Sequence, residues 1–145
     1  MRPVLLDSSI YIEALRGRGE IALTLRRLAP GAPVWLSAVV LEELYAGVSV
    51  YDRRAVERLE RDFGGARRIL VPNLNDWTHA GKVLARLAAA YGYERIGQAR
   101  LTNDALIAMS AARQGITVIT ANARDFARLA QFRPFRFEVK SARTT

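Results

Sequence analysis

Short, nearly continuous apolar runs alternate along the chain with longer stretches of helical period, the pattern of a parallel sheet covered on both faces. Val4-Leu5-Leu6 is the first run; it ends in Asp7-Ser8-Ser9, after which Ile10, Ile12 and Leu15 predict a helix to Gly17. A second helix is predicted from Glu20 to Leu28, stopped by Pro30-Gly31-Ala32-Pro33, and Val34-Trp35-Leu36 follows as a strand. Ser37 caps a helix through Val39, Val40, Glu43 and Leu44 that stops at Gly47. A charged helix over 53–63, closed by Gly64-Gly65, leads to Ile69-Leu70-Val71 as a third strand.

In the second half, Asn75 or Asp76 can cap a long helix through Trp77, Val83, Leu84 and Leu87 to Tyr91, where Gly92 marks its stop. A loop is predicted over 92–101, then a helix from Asp104 to Gln114, capped by Thr102 or Asn103 and ended by Gly115. Ile116-Thr117-Val118-Ile119-Thr120 is the clearest β-branched strand; a short helix over 124–130 and a last strand over 135–139 complete the pattern. No linker, repeat or low-complexity segment divides the chain. The expectation is a single α/β domain over 1–145, with four to five parallel strands flanked by helices on both faces.

Composition changes this picture mainly by exclusion. The 145 residues are 50% hydrophobic and 25% charged, as expected for one folded domain. There is no cysteine and one histidine, His79, so disulfide scaffolds, thiol catalysis, Cys-based zinc sites and histidine-pair mechanisms are all excluded. No segment reads as a signal peptide or membrane span, so a cytoplasmic protein is expected. Lys and Arg number 22 against 14 Asp and Glu, a net charge of +8, which favours polyanionic partners, nucleic acid first among them. Arg54, Arg58 and Arg61 recur at helical spacing and are candidates for holding a phosphate backbone; as an ordinary solvated basic face they would need no such role.

Against this basic background the acids stand out. Asp7 follows the first strand, at the edge where open α/β sheets place their ligand crevice, though capping alone would account for an aspartate there. Glu43 has Val39, Val40, Ala46 and Gly47 on its helical face, and Glu42 competes with it on a neighbouring face; periodicity does not separate them. Asp104 opens a helix with Ile107, Ala108 and Ala111 facing it, and Asp125 follows the β-branched strand beside Thr120 and Asn122. Gathered at one sheet edge, such carboxylates repel by about 4 kcal/mol per pair at ~4 Å and an effective dielectric near 20, so they would hold a proton or a cation. Oxygen donors without thiol or imidazole select Mg²⁺ or Mn²⁺, and the chemistry implied is phosphodiester hydrolysis by a metal-bound water.

The motifs Val4-Leu5-Leu6-Asp7-Ser8-Ser9, Ser37 through Gly47, Asn103-Asp104-Ala105-Leu106-Ile107-Ala108 and Thr117 through Phe126 together resemble PIN-domain ribonucleases, and among them the VapC-type toxins of prokaryotic toxin–antitoxin pairs. The resemblance covers nearly the whole chain. It implies that Asp7, Glu43, Asp104 and Asp125, spaced 36, 61 and 21 residues apart, are the catalytic, metal-holding acids, with Ser9, Thr120 and Asn122 in support. It prefers Glu43 to Glu42, because Leu44 and Gly47 stand where the family's glutamate is followed by leucine and glycine. It further implies a Mg²⁺- or Mn²⁺-dependent endoribonuclease, a homodimer, and a cognate antitoxin of the VapB type. Two positions depart from the pattern. Ser9 stands where Asn is frequent, and Asn122 where many relatives carry an acid, which leaves Asp125 or Asn122 to complete the site.

Other classes fit less well. A haloacid-dehalogenase-like phosphatase needs a second aspartate two residues after the first, where this chain has Ser9, and a receiver-type phosphoacceptor module wants an acidic pair that Asp7 lacks. A non-catalytic nucleic-acid-binding module explains the charge but not acids on apolar helix faces.

Overall fold

The structure, a computed structural model, describes residues 2–17, 20–92 and 99–142. Five strands lie in one sheet: β1 (Val4–Leu6), β2 (Val34–Ser37), β3 (Ile69–Leu70), β4 (Thr117–Thr120) and β5 (Phe137–Val139). Their order is β3-β2-β1-β4-β5 and every pairing is parallel. Between them run α1 (Ser8–Arg16), α2 (Ile21–Leu28), α3 (Ala38–Gly47), α4 (Arg53–Gly65), α5 (Leu74–Tyr91), α6 (Ala99–Gln114) and α7 (Ala123–Phe132). The predicted α/β class and flanked parallel sheet are those observed. The chain steps from β1 outward to β2 and β3, then crosses back over β1 to β4, so the direction of winding reverses between β1 and β4. Such a reversal opens a crevice at the carboxyl ends of the two strands.

The same polar residues that stop the strands start the helices. Asp7 accepts the Ser9 amide at 3.0 Å, Ser37 accepts the amide of Val39 at 3.2 Å, and Asn122 caps α7. Three caps thereby lie along the carboxyl edge of the sheet, where they leave polar atoms beside the crevice. The core beneath is built from Leu5, Leu6, Leu36, Val118 and Ile119 on the strands, and from Ile10, Val40, Leu44, Leu87, Ile107 and Leu129 on the helices, all buried. Phe126, Phe135 and Phe137 close one end with ring centroids 5.5 to 6.4 Å apart. Among the described residues no helix is long and apolar enough to cross a membrane.

Several boundaries differ from those the pattern predicts. α5 begins at Leu74 because Asn73, not Asn75 or Asp76, is its cap; Asp76 sits at the third helical position and returns the bond to the Asn73 amide at 2.9 Å, closing a capping box. α6 begins at Ala99, so Asp104 lies inside the helix rather than opening it, and Thr102 and Asn103 are helical rather than caps. Burial of Leu101 accounts for the early start, since a helix from Asp104 would leave this residue outside the core face. Of the predicted loop over 92–101, positions 93–98 lie outside the described residues. α4 runs on through Gly64 and Gly65, and the last strand is confined to Phe137–Val139.

Asp76 carries more than a cap. Its buried carboxylate also receives Arg113 Nε, 2.9 Å from Oδ2 and 3.1 Å from Oδ1, while Arg113 Nη2 donates to the Val71 carbonyl at 3.2 Å. This ties the start of α5 to the end of α6. Replacing Asp76 by Ala removes the cap and strands the guanidinium, and should cost about 2–4 kcal/mol of unfolding free energy in urea denaturation. A loss under about 0.5 kcal/mol would show that the pair contributes no more than an exposed one.

Candidate active site at the carboxyl edge of the sheet

Asp7 ends β1 and Thr120 ends β4, at the point where the winding reverses. Their backbones are joined by the Asp7 amide donating to the Ile119 carbonyl at 2.9 Å, and their side chains by Thr120 Oγ1 donating to Asp7 Oδ2 at 2.5 Å. The other carboxylate oxygen, Oδ1, accepts both the amide and the hydroxyl of Ser9. Ser9 Oγ in turn accepts the Ala121 amide at 3.2 Å, and Thr120 Oγ1 accepts the Asn122 amide at 2.9 Å. Asn122 Nδ2 then donates to Asp125 Oδ2 at 3.0 Å. One continuous network therefore runs from Asp7 through Ser9 and Thr120 to Asn122 and Asp125.

Asp7 is 3% exposed, and burial pushes its carboxyl above the ordinary aspartate range, against the lowering effect of the hydrogen bonds from Ser9, Thr120 and the Ile10 and Ser9 amides. A carboxylate held at this depth by uncharged donors is poised to take up positive charge.

Glu43 reaches the same edge from α3, where its Oε1 accepts Ser8 Oγ at 3.1 Å. It is half-buried while Glu42 is exposed, which separates the adjacent pair that periodicity left open. Its helical face is not wholly apolar core: Val39 and Val40 are buried, but Ala46 and Gly47 open onto a cleft of about 570 Å³ that Glu43 lines together with Ser8, Ser9 and Asn103. Asp104 follows Asn103 and is itself buried at 3% exposure, with Ile107, Ala108 and Ala111 packed at 0% on the same helix. α6 leads into β4 and runs antiparallel to it. Ten residues of helix, about 15 Å, separate Asp104 from the turn, so it stands near the level of the carboxyl end of the four-residue β4.

A family model for the PIN domain matches residues 4–131 of the chain. The chain belongs to the PIN domain family. Among solved structures, a chain of the DNA-bound VapBC complex from Salmonella typhimurium is 24% identical, with a TM-score of 0.67 over 96% of this chain and 98% of that one. A chain of VapBC2 from Rickettsia felis, bound to a DNA fragment from their promoter, is 22% identical, with a TM-score of 0.66 over 96% and 99%. VapBC-5 from Mycobacterium tuberculosis gives 23% identity and a TM-score of 0.54 over 97% and 99%. These likenesses are of fold. No curated protein matches the chain.

Within this PIN domain the predicted acids do not share a single shell. Asp7 and Asp125 belong to one hydrogen-bonded network, with Asp125 at its far end, while Glu43 is held by Ser8 on the cleft wall. Among the described residues, no three acidic or histidine side chains stand close enough to hold one ion between them. The predicted arginines are also elsewhere. Arg54, Arg58 and Arg61 are exposed on α4; Arg58 lines a different groove with Leu15, Ile21, Leu25 and Phe63, and Arg61 lies 3.6 Å from Asp62 in an exposed pair. Sequence reasoning missed Ser8, Glu13, Arg16 and Asn103, all of which line the acidic cleft. For Glu13 and Arg16 a signal was present: Ser9, Ile12, Glu13 and Arg16 fall on one helical face, leading away from Asp7.

The raised pKa of Asp7 carries a sign for stability. The native state holds this proton more tightly than the unfolded chain, so stability is greatest below the unfolded aspartate pKa and is lost as pH rises through the native value. Asn at position 7 is neutral throughout. In metal-free buffer the unfolding free energy of the wild type, measured against Asp7→Asn, should therefore fall as pH rises above the ordinary aspartate value of about 4. A difference that rises or stays flat over this range would mean that the hydrogen bonds outweigh burial.

Proposed function

We propose that this PIN domain is a Mg²⁺- or Mn²⁺-dependent endoribonuclease and the toxin of a toxin–antitoxin pair. The observation that carries the reading is the buried Asp7 carboxylate at the winding reversal, with Asp104 level with the end of β4 and Glu43 lining the adjoining cleft. Burying carboxylates is costly, and a chain that needed only to bind nucleic acid would have no use for them here. The match over nearly the full length of chains from VapBC complexes supports the toxin role and a cognate antitoxin of the VapB type; a homodimer and a cytoplasmic site of action are part of the same proposal.

The donor set fits a hard cation, being all oxygen with no thiol. It fits a hydrated one in particular. Mg²⁺ is usually held by one or two carboxylates and keeps several waters, so three converging acids are not required. Asp7 and Asp104 would hold the ion directly, with Glu43 on the cleft side. Such an ion lowers the pKa of a bound water and offsets charge on the phosphate. Ser9 and Thr120 fix the orientation of the Asp7 carboxylate, and Asn122 orients Asp125, which acts at one remove through hydrogen bonds. Ser8 holds Glu43 at the wall of the cleft.

Purified protein incubated with total RNA should cleave it in Mg²⁺ or Mn²⁺ and stop in excess EDTA. Asp7→Asn and Asp104→Asn should each abolish cleavage while keeping RNA affinity, whereas Asp125→Asn should lower the rate about 10–100-fold, the usual cost of an outer partner. Full activity of Asp7→Asn would overturn the proposed site and full activity in EDTA the metal dependence, whereas absence of cleavage by the wild type in Mg²⁺ and in Mn²⁺ would remove the nuclease reading and leave a nucleic-acid-binding module. Equal inactivity of Asp125→Asn and Asp104→Asn would make Asp125 a direct ligand.

A further inference from the structure

The acidic cleft presents a problem of charge that the proposed reaction has to solve. Glu13, Glu42 and Glu43 line it, Asp7 and Asp104 lie beneath it, and the basic residues expected to hold a polyanion face other surfaces. Among the described residues Arg16 is the one basic side chain in its lining. It sits in the last turn of α1, seven residues beyond Ser9, about 10 Å along the helix axis and on the same face. Among the described residues this guanidinium makes no ion pair or hydrogen bond, and it is exposed. Several other cations are tied: Arg113 to Asp76, Arg27 to the Ser141 and Ala142 carbonyls, Lys140 to the Leu28 carbonyl, and Arg128 over the Tyr91 ring.

The freedom of Arg16 has a structural cause. Glu13 stands three residues before it, the spacing at which a glutamate and an arginine on a helix surface ordinarily pair. Here the Glu13 carboxylate is turned away: Oε2 accepts Ser141 Oγ at 3.2 Å and the Ala142 amide at 3.1 Å. Arg27 holds the carbonyls of the same two residues. The segment after β5 thus crosses α1, occupies the acid that would neutralise Arg16, and leaves the guanidinium facing the cleft.

We propose that Arg16 is a positioning residue that clamps a backbone phosphate of single-stranded RNA next to the one attacked, and that the strap of Ser141 and Ala142 keeps it available by sequestering Glu13. The inference rests on the ribonuclease reading for the identity of the polyanion. A planar guanidinium suits this role because it can meet two phosphate oxygens at once, and its distance from Asp7 places it beyond the reacting atoms.

The test uses the full chain carrying Asp104→Asn, without metal, and a fluorescein-labelled 12-nucleotide single-stranded RNA followed by anisotropy from about 50 to 200 mM KCl. Adding Arg16→Gln should raise Kd about 3–10-fold and reduce the magnitude of the slope of log K against log salt by about 0.7, one phosphate contact on a single strand. Arg16→Lys should keep the slope, and Arg61→Gln, on another surface, should leave both quantities unchanged. Unchanged binding in Arg16→Gln overturns the clamp, as do equal losses in Arg16→Gln and Arg61→Gln, which would report net charge alone. Failure of the Asp104→Asn protein to bind at 50 mM salt also overturns it. Because no cleavage is measured, an inactive wild type would refute the nuclease reading without touching this result. Loss of the clamp in a protein that does cleave would refute only the clamp.

Discussion

The hydrogen bond from Thr120 to the buried carboxylate of Asp7 is the constraint on which the rest of the site depends. It joins the ends of β1 and β4, the two strands between which the winding reverses, and so fixes the crevice that a parallel sheet opens there. Asp7 also caps α1 through the Ser9 amide, so the residue that sets the charge of the site sets the direction of the helix that walls it. Ser8 then meets Glu43, and Ser9 meets the amide of Ala121. Three consecutive residues connect β1, α3 and the turn after β4. An exchange at any one of them moves the others.

This economy explains why the acids are tolerated. A carboxylate at 3% exposure opposes folding unless donors surround it, and the donors here are short hydroxyls and backbone amides already fixed by strand ends and caps. None of them carries charge. Asp7 therefore keeps its affinity for positive charge instead of being matched by a guanidinium, which suits a cation-holding site. The ion pair of Asp76 and Arg113 shows the opposite arrangement on the same fold: a buried acid matched by a guanidinium and by a helix-start amide, with its charge satisfied.

Much of this was legible in the sequence because the signals are local. Strand runs such as Val4-Leu5-Leu6 and Thr117 to Thr120 are apolar and bounded by residues that cap, and Asp7 and Ser37 cap where the pattern put them. Where two polar residues could serve one end, local reasoning failed: Asn73 and Asp76 share the start of α5 reciprocally, and a search for one cap finds the wrong one. The start of α6 was missed because Leu101 earns its helical place through burial against other elements. Glu42 and Glu43 differ in tertiary surroundings alone. The arginines of α4 have the right spacing for a face, but spacing does not say which neighbour that face meets, and Arg16 was overlooked because its significance depends on a segment 125 residues away.

The pairing of β1 with β4 also governs when this molecule can come into being. Val4 lies opposite Thr117 and Leu6 opposite Ile119, so the central strand has one of its two neighbours only after most of the chain exists. At synthesis rates of about 5–20 residues per second, a ribosome needs roughly 6–24 s to reach that point. Until then the amino-terminal strand has β2 alone, and its carboxyl end lacks the threonine that completes it. Nascent chains therefore accumulate no partly working site, and catalytic competence arrives late and all at once with the last parallel strands.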